Sequence, residues 1–320
     1  IPRFGPRALL PIGTLSFGLA IYLWATATSL VVFALMALPV GFAFGLINPC
    51  SVFLTVQAEQ ETGKRLLTLH HACFSIGSLL GVVIGGLYAS TGLNPIYLFF
   101  CLMIAGMSVG VSFYVISDTA IKKTDKIPKE KTTRTIKLPS GDTLLFGAIA
   151  AVSMGTVGII LDWSALWLTR DIGVTLALGG LGIFAYNGAE IFARLFGAEI
   201  IQRFGERFIG SSALIFGCII MIFATVSEEL SFIIIAFFAF GFSAANFLPL
   251  VQGVAAERNH DKASEIVTDI QTISFIGFLF GPPIVGLIAE YVSIAACMYL
   301  LCIVWIISAL IMRKYFSVAS

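Results

Sequence analysis

The chain has 320 residues, of which 58% are hydrophobic and 12% charged, and its mean hydropathy is +0.98. No water-soluble domain of this size buries so much apolar surface, so the composition places the chain in a lipid bilayer. Its net charge of +1 says nothing about nucleic acid or acidic partners, because the charge is partitioned by loop and not spread over a surface, and a membrane composition leaves no DNA-binding reading.

A helix needs about 20 apolar residues to cross about 30 Å of hydrocarbon. Ten such runs are predicted, over 8–24, 30–57, 68–90, 95–116, 143–168, 174–200, 207–225, 231–256, 266–289 and 294–314. They are too long for membrane β-strands and lack their alternation, so the predicted fold class is all-α and polytopic. Between the fourth and fifth runs lies the one long polar segment, Ser117–Asp142, with seven basic residues: Lys122, Lys123, Lys126, Lys129, Lys131, Arg134 and Lys137.

Basic residues favour the cytoplasmic ends of membrane helices. With alternating loops, 18 of the 19 basic residues fall on one face and Arg170 alone on the other. The linker and the C-terminus are therefore expected in the cytoplasm.

An ungapped shift of 200 residues aligns the chain with itself. Arg3, Phe4, Gly5 and Arg7 fall on Arg203, Phe204, Gly205 and Arg207, and Pro49 falls on Pro249. Ile76, Gly77, Leu79, Gly81 and Gly86 fall on Ile276, Gly277, Leu279, Gly281 and Gly286. A duplicated unit of this kind is a recurrent design of secondary transporters, with the solute site between the halves. The downstream half has six runs and the upstream half four, so two helices, equivalent to 143–200, are missing at the front, as expected of an N-terminally truncated piece of a twelve-helix protein or of a natural ten-helix derivative of one. The expected division is an incomplete bundle over 1–117, a cytoplasmic linker over 118–142 and a complete six-helix bundle over 143–320.

The repeated basic loop, the long central linker and the two halves resemble the major facilitator superfamily. Its inner-loop pattern Gly-x-x-x-Asp-Arg-x-Gly-Arg-Arg is approached by Arg3-Phe4-Gly5-Pro6-Arg7 and by Gln202-Arg203-Phe204-Gly205-Glu206-Arg207, with Pro2 and Gln202 in place of the aspartate. Asn48-Pro49, Glu59, Gly63, Arg65, His71, Phe74-Ser75, Asp162-Trp163-Ser164 and Gly277 to Pro283 resemble a bacterial inner-membrane subgroup distantly similar to the fucose-proton symporter. That resemblance implies ten of twelve family helices in two pseudo-symmetric bundles, and a bacterial inner-membrane location. The acid usually found one turn before the Asn-Pro pair is missing from Gly41–Ile47, so sugar-proton symport of that type is not implied.

Charged groups within hydrocarbon are costly unless they face a cavity or a partner. Asp162, beside Trp163, lies deep in the fifth run with Leu166 at i+4, and is the expected proton or solute acid; its alternative is an interfacial anchor paired with Arg170. Glu190 and Asn187 are candidate solute or proton residues, Asn187 lying one turn earlier on the same face and extending the polar stripe into the cavity; the simplest role of Glu190 is an intrahelical ion pair with Arg194. Asn48 and Asn246 lie near Pro49 and Pro249, where a helix loosens, and so are candidate solute residues, with Gln252 and Gln271 behind them. An interhelical hydrogen bond is the plainer role for each Asn. A cytoplasmic gate is expected from Arg3, Gly5, Arg7, Arg194, Arg203, Gly205 and Arg207, with Glu59 and Glu257 as counter-charges. The glycines at 77, 81, 85 and 86 and at 277, 281 and 286 are expected to bring helices close.

The six cysteines sit within apolar runs without a CxxC pair, and the adjacent His70 and His71 have no second ligand cluster, so neither metal nor cofactor is expected. No nucleophile-base arrangement points to an enzyme, and no GxxxxGK[ST] motif points to ATP-driven pumping. The expected function is alternating-access transport of a small solute by a monomer in the bilayer, with protons as coupling ion. The alternative is a membrane sensor that keeps the transporter fold without moving solute.

Overall fold

The computed structural model describes residues 5–62, 66–120, 141–258 and 262–316. Eleven α-helices occur among them: α1 (Pro6–Ala25), α2 (Leu30–Thr62), α3 (Leu66–Ser90), α4 (Pro95–Ala120), α5 (Gly141–Leu166), α6 (Leu181–Phe204), α7 (Leu214–Ser227), α8 (Leu230–Ala244), α9 (Phe247–Glu257), α10 (Ala263–Tyr291) and α11 (Ile294–Met312). α8 and α9 share one span, so the described helices provide ten membrane-length spans, the predicted number.

Several differences from the predicted runs have local causes. The sixth helix begins at Leu181 and not at 174, because Gly173 takes a positive φ of 82° and Leu176–Leu178 forms a 3-10 turn. α5 and α7 adjoin π-helical turns, Trp167–Asp171 and Phe208–Ala213. The eighth run breaks at Ala245 and Asn246. Pro249 has no N–H to give the Ala245 carbonyl, and its ring crowds that oxygen, so the chain leaves the helix there. Pro39 and Pro49 leave α2 unbroken.

Two compact units result. The first holds α1, α2, α4 and the two ends of α3; the second holds residues 75–87 of α3 with α5 to α11. In the first, α1 packs against both α2 and α4. A Cβ at Gly106 would stand 3.3 Å from the Gly18 Cα, so α1 and α4 meet backbone to backbone. Rings close the rest of these faces: Phe17 lies 6.2 Å from Phe44, and Tyr22 lies 5.7 Å from Phe100.

The second unit has the larger core. α5 packs along α10, where a Cβ at Gly277 would collide with the Ala151 carbonyl and one at Gly281 would stand 3.2 Å from Gly155. α6 packs on α8, and α7 lies against both α8 and α11. Trp305 sits at the centre, fully buried, edge-on to Phe240 and Phe247, with its indole N–H donating to Thr156 Oγ1 at 2.8 Å.

The two copies of the basic loop share a backbone conformation. Gly5 (φ 73°, ψ 154°) opens α1 and Gly205 (φ 82°, ψ 155°) closes α6 in nearly the same conformation, 200 residues apart. A side chain at either position would be strained, which accounts for the glycine in both copies of the basic loop.

Candidate functional site

α5 supplies the first group. Pro282 and Pro283 cannot donate to the carbonyls of Phe278 and Leu279, although α10 continues unbroken through them, and the Phe278 carbonyl faces Gly158 of α5. The Trp163 indole N–H donates to the Pro282 carbonyl at 3.0 Å, and the same ring lies over Gly286, where a Cβ would approach it to 3.0 Å. Trp163 thereby pins α5 beside Asp162. The Asp162 carboxylate is exposed and makes no hydrogen bond or ion pair among the described residues. Arg170, its expected alternative partner, binds Asp171 instead at 2.6 Å.

α6 supplies the second group. Tyr186 and Gly197 turn toward α8 and the Asn246 break, whereas Asn187 and Arg194 turn toward α3. Asn187 Nδ2 donates to Ser78 Oγ at 2.7 Å, and Arg194 donates to Ser75 Oγ at 3.1 Å. Glu190 lies between these faces, only 7% exposed, and accepts from Arg194 at 3.2 Å. The expected ion pair is therefore present, and two serines of α3 extend it. Sequence reasoning assigned Ser78 nothing and Ser75 only a family match, because small hydroxyls in an apolar helix usually bond their own backbone.

The remaining candidates divide. Asn246 donates to the Ala193 carbonyl at 3.3 Å and packs on Gly197, so it ties the α8–α9 break to α6. Gln252 and Gln271 come together at 2.9 Å, and Gln271 also donates to Ser274 Oγ at 3.3 Å. Asn48, in the first unit, makes no side-chain hydrogen bond among the described residues, though its carbonyl accepts from Ser51. Thr55 lies 3.4 Å from His70 Nδ1, linking α2 to the start of α3.

Of the expected gate, Arg3 lies outside the described residues, as do the side chains of Arg7 and Glu59. Arg203 is exposed over the Phe204 ring at 5.5 Å, and Arg207 is half-buried. Glu257 makes no ion pair among the described residues. Its neighbour Arg258 does, with Asp142 at 3.7 Å, and also lies 5.1 Å over the Tyr315 ring. Neither Asp142 nor Tyr315 was a sequence candidate, since nothing local marks a partner so distant along the chain.

A family model described as Major Facilitator Superfamily matches residues 1–259 and 143–319. The chain belongs to the Major Facilitator Superfamily. This facilitator is similar to an uncharacterized MFS-type transporter of Yersinia pestis, at 26% identity over 92% of its own length and 75% of the relative's. It is also similar to Membrane protein MosC of Rhizobium meliloti, at 25% identity over 96% of its length and 74% of that protein's. Among solved structures, the human organic anion transporter MFSD10 (TETRAN) shares the fold, with a TM-score of 0.65 at 15% identity over 96% of this chain and 77% of that one. The facilitator is thus a multi-pass helical membrane protein of a transporter family.

Proposed function

We propose that this facilitator is a secondary transporter that moves a small solute by alternating access, with protons as the coupling ion. The observation that carries the reading is Asp162: an unpartnered carboxylate on a membrane-length helix, beside a tryptophan that is itself fixed to α10. An ionised carboxylate there is costly without a partner, and a proton removes the cost. Taking that proton on one side and releasing it on the other ties proton movement to solute movement. Glu190 is less suited to this role while Arg194 holds it.

The duplicated segments 1–117 and 143–320 are proposed as the two bundles that rock. The basic linker 118–142 and the C-terminus face the cytoplasm of a bacterial inner membrane, and the transporter works as a monomer. Gating is assigned to the basic loops around Gly5 and Gly205, with Arg203, Arg207 and Arg258 at the cytoplasmic ends of their helices.

The test is proton movement in proteoliposomes that enclose a pH-sensitive dye, challenged with a library of small neutral, anionic and cationic solutes. At least one solute is expected to evoke proton flux that empty liposomes lack. Solute entry without proton movement rejects the coupling, and failure of every solute rejects transport.

A further inference from the structure

The buried ion pair on α6 has an unusual composition. Glu190 is almost wholly buried, whereas Arg194 keeps 39% of its side chain exposed and uses only one N–H on the carboxylate and one on Ser75. A guanidinium has five donors in a fork that matches a carboxylate two-to-two. The Glu190–Arg194 contact, a single hydrogen bond at 3.2 Å, falls short of that match. The site therefore holds an internal carboxylate in incomplete engagement with a cation that still has an open side.

We propose that Arg194, with Ser75, binds the carboxylate of an organic-anion solute, and that Glu190 is the internal carboxylate which this solute displaces. The proposal rests on the transport reading and names its solute class. Displacement would leave Glu190 buried and unpaired, so it takes a proton from water as the solute arrives. The Arg194–Glu190 hydrogen bond breaks, two Arg194–solute hydrogen bonds form, and the site stays neutral before and after. The proton on Glu190 compensates the charge of the bound anion locally and is separate from the coupling proton assigned to Asp162. Asn187 and Ser78, joined one turn away, hold α6 on α3 while the exchange occurs.

The groups around Glu190 are few. On α6, Tyr186 lies one turn before it, fully buried, and Arg194 one turn after. Residues 75–87 of α3 bring Ser75 and Ser78 but no charge, and α8 brings none. α5, also packed on α6, carries Asp142, which binds Arg258, and Asp162; neither bonds Glu190.

The test is thermal unfolding of the purified full chain in detergent at about pH 6 and about pH 8. The probes are acetate, lactate and citrate, with glucose and choline as neutral and cationic counterparts. Carboxylates should stabilise the protein, more at the lower pH, and glucose and choline should not. Arg194→Gln should abolish the effect, and Ser75→Ala, which keeps the ion pair, should weaken the apparent affinity up to about tenfold. Glu190→Gln should bind carboxylates equally at both pH values. No stabilisation by any carboxylate, carboxylate binding that survives Arg194→Gln, or undiminished pH dependence in Glu190→Gln overturns the proposal. If Arg194→Gln fails to fold, Ser75→Ala and Glu190→Gln decide it. Proton-coupled flux of another solute that persists in Arg194→Gln removes this site and leaves the transport reading standing; the expected binding without any solute flux does the reverse.

Discussion

α3 and α10 carry the same glycine ladder 200 residues apart, yet they use different rungs of it: α3 is packed at Gly86, against the Ala177 carbonyl, and α10 at Gly277. Gly277 of α10 lies so close to Ala151 of α5 that a methyl group would have no room, and one at Gly281 would press on Gly155 at 3.2 Å. Gly77 and Gly81 of α3 have nothing among the described residues within 4 Å of where a Cβ would stand. The same holds one helix earlier: Pro249 accompanies a break whose Asn246 is bonded to α6, whereas α2 continues through Pro49 and Asn48 stays unbonded among the described residues. A glycine ladder or a helix proline marks a face able to accept a close neighbour. The neighbour itself decides whether the face is packed, and α5 and α6 are those neighbours in the downstream half.

Substitutions at matched positions can break this comparison. The largest contrast is expected at the glycines. Gly277→Val should cost about 3 kcal/mol or more, because its side chain meets backbone that cannot yield, whereas Gly77→Val should cost less than about 0.5 kcal/mol. Thermal unfolding of the two variants in detergent measures this, and equal losses would show that α3 is packed at Gly77 as well as at Gly86. A smaller contrast is expected at the asparagines: Asn246→Ala should cost about 1 kcal/mol through its lost bond to Ala193, and Asn48→Ala close to nothing. Comparable losses at both would place a partner on Asn48. The smallest effect is expected at the exposed Asp142–Arg258 pair, whose removal by Asp142→Asn should cost about 0.5 kcal/mol or less and vanish in high salt. A salt-insensitive loss would mean that Asp142 acts through packing.

Much of the fold was legible because membrane burial writes itself into every span: helix number and most boundaries follow from apolar length alone. What failed to show were the places where one helix is shaped by another. The π-helical turns at Trp167–Asp171 and Phe208–Ala213 have no local sequence mark. The break before Pro249 and the unbroken helix through Pro49 surround prolines 200 residues apart, and they differ by what packs on them. The site divides along the same line. Glu190 and Arg194 were readable from their i,i+4 spacing, which operates within one helix. The serines that extend the pair, the Gln252–Gln271 bond and the Arg258–Asp142 pair join residues of different helices, and a single sequence holds no measure of such distances.

The central claim is that the unpartnered Asp162 carries the coupling proton, and the most direct measurement compares driven uptake with solute exchange in proteoliposomes of the parent and of Asp162→Asn. The amide keeps the shape of the protonated acid and cannot release a proton, so exchange of solute across the membrane should persist while accumulation driven by a pH gradient is lost. Equal gradient-driven accumulation by the two proteins would contradict the claim and leave Asp162 as an anchor beside Trp163.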